Sequence, residues 1–556
     1  MDIMENLILK HTLANAIEHG GKANVQAVLG RVIAEDASLK GKINEIIPEI
    51  KKTVEEINSL TADEQKKRLT ALGVSLEKKE KIEGGLPELH NAVKGKVIMR
   101  LAPYPSGPLH IGNARMVILN DEYAKKYKGK LLLVIDDTIG SKKKFILPEA
   151  YDLIIDGLKW LGVKYSKVLY KSDRLYLFYD FIKKLIQKKF AYVCECDVDV
   201  LRKNRAEGIA CKHREQSEKW NLERWNEMLE GKYKEEEAVV RLKTNIINPN
   251  PAFRDRVLAR IVERKHPRVG NKYRVWPLLE ASWALDDYLL GVTHIIRGKE
   301  LMIEGMMEEF IWNVMGWKNP EIIHYGLLSL EGVKLSKSEA RIAIEKKKFV
   351  GWDDPRTWSL QSLRKRGIQP EAVRNFIIKM GLSLADVTVP TEILYAENRK
   401  IIDAAANRFF AVINPMMISI ENSPKIKNAQ AKFHPDFPRR GKRKIPVDAK
   451  KIYIEKEDFE KFKGKEVGLM DLFTVRLDKQ SEFISKKVKY EVPKIHWVSE
   501  PNVKIKIVMP DGRITKAAGE TNMKKLRVDD IIQMPRIGFA RVDGIKKEML
   551  LYFTHK

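Results

Sequence analysis

The stretch from Val97 to Ile135 limits this chain more than any other. Val97-Ile98-Met99-Arg100-Leu101 is a short apolar run, a turn-rich passage comes next, and a helix is expected from about Gly112 to Tyr127. A second apolar run, Leu131-Leu132-Leu133-Val134-Ile135, then ends in Asp136-Asp137-Thr138. Strands that are apolar on both faces and joined by a helix read as a parallel βαβ unit. Further helices are expected from Pro148 to Leu161 and from Arg174 to Lys189. The fold class is therefore α/β, opening with half of a doubly wound, Rossmann-like catalytic domain whose ligands bind beyond the carboxyl ends of its strands.

The alternation breaks from about 195 to 290, where charged helices surround a strand-like Ala238–Leu242, and it resumes at Val292-Thr293-His294-Ile295-Ile296. At 556 residues the chain is too long for one core. The expected division is a helical domain over 1–83 and the first half of the catalytic domain over 84–194. An inserted domain over 195–290 and the second half of the catalytic domain over 291–350 come next, then a helical domain over 351–412 and β-barrels over 413–556. The N-terminal part shows apolar residues at three- and four-residue spacing, as in Ile43, Ile46, Ile47, Ile50, Val54 and Ile57, and ends near Gly84-Gly85-Leu86-Pro87. No repeat of solenoid period occurs.

Composition narrows the partners. The formal charge of +27 points to a polyanion, nucleic acid first and an anionic membrane surface as rival, or else to a basic cytosolic protein of a lysine-favouring organism, and charge alone does not choose. No apolar run is long enough to span a membrane, and Met1-Asp2-Ile3-Met4-Glu5-Asn6 has no secretory pattern, so a cytoplasmic protein with no membrane partner is expected. Three cysteines exclude a disulfide framework, and any common role for them must be chemical.

Chemistry concentrates in four places. In Arg100-Leu101-Ala102-Pro103-Tyr104-Pro105-Ser106-Gly107-Pro108-Leu109-His110-Ile111-Gly112-Asn113, prolines and glycine force a tight passage into a helix. His110 and Asn113 share its first turn beside free backbone N–H groups, a setting that suits phosphate oxygens, although an ordinary strand-turn-helix reads the same way. Gly112 leaves room for a flat base. The second place is Lys334-Leu335-Ser336-Lys337-Ser338, read as a loop whose lysines can close over a triphosphate or stay a solvated surface.

In the third place, Cys194-Glu195-Cys196 and Cys211-Lys212-His213 put three thiols and one imidazole at paired spacing. This is the donor set of a closed, structural zinc site; the alternative is three free thiols. The fourth is His434-Pro435-Asp436-Phe437-Pro438-Arg439-Arg440-Gly441-Lys442-Arg443-Lys444. Its cations beside Phe437 suit phosphates and an unpaired base, or else form a solvated loop.

The first two motifs together resemble the signatures of class I aminoacyl-tRNA synthetases. Asp136-Asp137-Thr138, Gly291-Val292-Thr293-His294 and Gly351-Trp352-Asp353-Asp354-Pro355-Arg356 make the chain similar to the glutamyl/glutaminyl subgroup, and most like its archaeal glutamyl type. Similarity runs from about Lys96 to the C-terminus, and the N-terminal helices resemble the extension such enzymes carry. The resemblance implies ATP with Mg2+ held by Pro103, His110, Gly112, Asn113, Lys334, Ser336 and Lys337, with His110, Asn113, Lys334 and Lys337 catalytic. It implies glutamate bound by Arg100, Asp136 and Arg297, since a buried carboxylate needs a cation and glutaminyl enzymes have an uncharged residue at the place of Arg297. It also implies a structural Zn2+ on Cys194, Cys196, Cys211 and His213, and tRNA(Glu) contacted by Phe437, Arg439, Arg440, Lys442, Arg443 and Lys444. A monomer is expected.

Two positions depart from the family pattern. Asn113 replaces the second signature histidine, and Trp276-Pro277-Leu278-Leu279-Glu280 lacks the tyrosine that many relatives place against the amino acid. The rival readings are a glutaminyl enzyme, a paralogue that loads another acceptor, and an inactive tRNA-binding protein.

Overall fold

The computed structural model describes residues 3–18, 20–35, 43–72, 86–140 and 144–556, in two compact units, Met1–Gly85 and Leu86–Lys556. The expected linker glycines Gly84 and Gly85 lie outside the described residues. The first unit is four helices: α1 (Ile3–Glu18), α2 (Val25–Glu35), α3 (Ile43–Asn58) and α4 (Ala62–Ala71). Ile46, Ile50, Val54 and Ile57 of α3 form one stripe, buried with Ile8, Leu13, Val28 and Val32 in a core of their own.

In the second unit, β1 (Ile98–Leu101), α5 (Ile111–Lys126), β2 (Lys130–Ile135), α6 (Pro148–Trp160), β3 (Lys167–Tyr170) and α7 (Leu175–Gln187) occur in order. β1, β2 and β3 are parallel neighbours. β1 and β2 bury both faces, which is why they read as continuous apolar runs. Next comes an antiparallel four-stranded sheet of β4 (Ala191–Cys194), β5 (Val239–Leu242), β6 (Val257–Ile261) and β7 (Val275–Pro277), with α8 (Val198–Glu207) and α9 (Glu218–Glu230) between its first two strands. α10 (Leu279–Leu289) leads to β8 (His294–Gly298), α11 (Met302–Met315) and β9 (Glu321–Tyr325), the last two strands being parallel. β8 lies beside β1: the Thr293 N–H donates to the Ile98 carbonyl and the Ile98 N–H to Thr293 Oγ1, both at 2.9 Å. Two parallel sheets, β1-β2-β3 and β8-β9, thus lie side by side with β1 and β8 at their shared edge. The switch point falls between β1 and β8.

The C-terminal part holds two seven-stranded sheets with separate cores. Helices expected to continue to about Val412 end at Ile402, and Ala411–Ile413 is already a strand. The cause is period-two patterning: Phe409 and Ala411 enter one core, Phe410 and Val412 the other. Among the described residues no helix is long and apolar enough to cross a membrane.

Candidate active site

The carboxyl ends of β1, β2, β8 and β9 deliver Arg100, Asp136, Arg297 and Tyr325 to one cleft of about 560 Å³, walled by His110, Gly112, Asn113, Lys334 and Leu335. The floor is charged and tightly paired. Arg100 Nε and Nη2 donate to the two Asp287 oxygens at 2.7 and 2.9 Å, and its guanidinium lies 3.7 Å from the Trp283 ring. Arg297 Nη1 and Nη2 donate to Glu308 at 3.1 and 2.9 Å. Asp136 accepts from Trp283 Nε1 and Thr138 Oγ1, both at 3.0 Å, and stands 3.3 Å from the fully buried Lys171 ammonium.

The first motif is braced by the Gly351–Arg356 segment and by the residues just beyond Arg356. The Ile111 N–H donates to the Trp358 carbonyl and the Leu360 N–H to the Leu109 carbonyl. Gly107, at φ +145, lies so near the Trp352 indole that a Cβ would stand 2.9 Å from it. Asn113 Oδ1 accepts from the His110 N–H at 3.3 Å, so this amide ties down the helix start and leaves its NH2 group for the cleft. Burial and the nearby Lys337 ammonium push His110 down to about 3. Its imidazole is neutral, and it can hydrogen-bond to a phosphate but not neutralise one. Over Gly112 the space is filled by the His110 ring and Leu335.

Pro103 lies beneath the cleft, its carbonyl accepting from the Asp136 N–H at 3.1 Å. The expected loop Lys334–Ser338 is half helix: Ser336 caps α12 (Lys337–Glu345), its Oγ accepting from the Glu339 N–H. Capping side chains favour this start, and the free N–H groups of the first turn add positive potential to the two lysines. Lys334 is 77 % exposed in a pair with Glu339 at 2.7 Å, an exposed bond easily exchanged for a phosphate. Lys337 is half-buried with Nζ 3.5 Å from the Gly107 carbonyl, so it faces the first motif rather than the cleft. Burial pushes it down to about 8.

The cysteines and histidine converge from 194 to 213. One donor atom from each of Cys194, Cys196, Cys211 and His213 lies within 4.8 Å of all the others. Cys194 Sγ is 3.8 Å from Cys211 Sγ, and His213 Nδ1 is 3.9 Å from Cys194 Sγ and 3.3 Å from Cys196 Sγ. Zinc–ligand bonds of about 2.3 Å to sulfur and 2.0 Å to nitrogen in a tetrahedron give edges of about 3.5–3.8 Å, so the residues fit the metal. Arg241 Nη1 lies 3.9 Å from both Cys194 and Cys211, a cation for the excess thiolate charge. The Cys194 thiol bonded to the Cys211 sulfur, with Arg241 beside it, pulls Cys211 down to about 4.

One assignment to the basic run is overturned. Arg443 lies inside the protein, its Nε bonded to both Glu520 oxygens at 2.8 and 2.9 Å. It alternates with Lys442 and Lys444 on one strand, so it points into the core and they point out. Phe437, Arg439, Arg440, Lys442 and Lys444 are exposed. Arg443→Ala, which would strand a buried carboxylate, is expected to destabilise the protein by about 3–5 kcal/mol in denaturant unfolding. Lys442→Ala with Lys444→Ala should leave stability unchanged and flatten the salt dependence of RNA binding.

Sequence reasoning missed Asp287, Trp283, Lys171 and Glu308. The readable signal was Asp286-Asp287 at the end of a helix otherwise rich in apolar residues, a place where carboxylates need partners.

Residues 96–404 match the family model "tRNA synthetases class I (E and Q), catalytic domain", and residues 406–492 and 494–543 match two models described as anti-codon binding domains of the same class. The glutamate–tRNA ligases of Pyrococcus abyssi and Pyrococcus furiosus are each 44 % identical, over 573 and 578 residues, with all of this chain and all of theirs covered. That of Methanocaldococcus jannaschii is 43 % identical over 97 % of this chain and 98 % of its own. The cleft at the switch point, the two motifs beside it and these full-length matches lead to one conclusion: the chain belongs to the class I tRNA synthetases for E and Q.

Proposed function

We propose that the chain ligates glutamate to tRNA(Glu) at the expense of ATP. The observation that carries this is the likeness along the entire chain to proteins named glutamate–tRNA ligases. Arg297 on the cleft floor supports it, because a glutamate side chain needs a cation and a glutamine side chain does not.

In the first step a glutamate carboxylate oxygen attacks the α-phosphorus of ATP, and the bond to the bridging oxygen breaks to release pyrophosphate. In the second the 2′-hydroxyl of the terminal adenosine attacks the adenylate carbonyl and AMP leaves. Asp136, held by Trp283 and Thr138, receives the substrate ammonium; Arg100 and Arg297 receive carboxylate. His110 and the Asn113 amide donate to the α-phosphate as neutral groups. Lys334 exchanges Glu339 for the β- and γ-phosphates, and Lys337, at the start of α12 beside Gly107, stabilises the same phosphates. Mg2+ would neutralise the remaining phosphate charge. No side chain forms a covalent intermediate, and the rate comes from positioning and charge stabilisation. Zn2+ on Cys194, Cys196, Cys211 and His213 would hold the insertion for the acceptor end, and Phe437, Arg439, Arg440, Lys442 and Lys444 would contact tRNA.

Pyrophosphate exchange with tRNA present, run with each amino acid, tests the reading. Exchange is expected with glutamate; exchange with glutamine alone would overturn it.

A further inference from the structure

Arg297 is enclosed more completely than a recognition arginine needs to be. From α11, Glu308 takes both of its Nη groups, and Gly305 one turn earlier leaves the space they occupy: a Cβ there would stand 2.7 Å from Nη2. Glu308 is fully buried. Around it stand Arg297 of β8, Asp287 of α10 and Arg100 of β1; His324 of β9, register partner of Arg297, is held neutral by burial and by that arginine. Arg100, Asp287, Arg297 and Glu308 therefore sum to zero charge. A substrate carboxylate added to this dry cluster would leave an uncompensated negative charge, which is costly unless one carboxylate is neutralised.

We propose that Glu308 is a positioning residue for glutamate recognition: it clamps the Arg297 fork before substrate arrives, and gives that cation to the substrate carboxylate by taking one proton from solvent. The proposal rests on the reading that Arg297 binds glutamate. Burial and the nearby Asp287 push Glu308 up, to about 7 despite Arg297. Below that pH it is neutral and Arg297 is free to bind; above it, substrate must pull a proton in.

The test is the KM for glutamate and for ATP in pyrophosphate exchange with tRNA, from pH 6 to 8.5. For the unaltered protein the glutamate KM is expected to rise about tenfold per pH unit above 7, while the ATP KM stays level up to about pH 8, where Lys337 begins to lose its charge. Glu308→Gln, which cannot ionise, should give a flat profile and at pH 8 a glutamate KM about tenfold lower. A flat profile in the unaltered protein, or a Glu308→Gln profile that keeps the slope, would overturn the proposal. The unaltered protein's profile decides the matter even if the variant does not fold. Arg297→Ala separates the two readings: an unchanged glutamate KM would remove Arg297 from the site, whereas a raised one beside an unresponsive Glu308→Gln would remove only Glu308.

Discussion

Lys337→Ala is expected to slow adenylate formation by about 10²–10³, the scale for losing one fixed charge-stabilising donor, while tRNA affinity stays within about twofold. The reason is placement. Lys337 opens α12, where free backbone N–H groups already favour an anion, and its ammonium sits 3.5 Å from the Gly107 carbonyl of the first motif. Alanine keeps the helix and removes only the charge. The pH dependence carries the same information. Burial holds Lys337 at about 8, so its cation is complete below that pH and lost as pH rises through it. The kcat/KM for ATP in the unaltered protein should therefore fall above pH 8, since that ratio reports the free protein's groups. Exchange surviving the substitution would remove Lys337 from the chemistry.

A second large effect is expected at the cysteine cluster. Metal analysis should find one zinc per chain in the unaltered protein and none in Cys211→Ser. The apolar material around the cluster is only Tyr192, Cys194 and Cys211, with Cys196, Leu201 and Val239 against them, too little to fold a segment alone. Structural zinc contributes about 10 kcal/mol or more in small domains, so its loss should open residues 195–217 to protease, while α9, anchored by Trp225 and Met228 in the neighbouring core, and the catalytic core melt as before. Aminoacylation should drop through weaker tRNA binding. A chain that binds no zinc and resists protease there would dismiss the site.

The candidate site was legible where local spacing carries the chemistry. Four metal-type donors close together in the chain point to a tetrahedron whatever surrounds them, and the structure does bring them within 4.8 Å. The two proline-framed turns of the first motif dictate a helix start at His110. Legibility failed where one strand's neighbours decide. Arg443 looked like the cations on either side of it, yet alternation along Lys442–Pro446 turned it inward onto Glu520, which is 77 residues away. The helical run expected to reach Val412 gave way because Phe409 to Val412 serve two β cores at once.

By itself, then, the sequence determined the βαβ opening, the interrupted catalytic domain, the metal donors and the family, since all of these reside in short-range pattern or in motif order. Tertiary structure decided which charges remain available. Arg100 meets Asp287 across 187 positions, Lys171 meets Ser282 across 111, and Arg297 is clamped from a neighbouring helix. A buried charge is defined by what neutralises it, and for these arginines the partners lie on elements that only the folded sheet brings alongside.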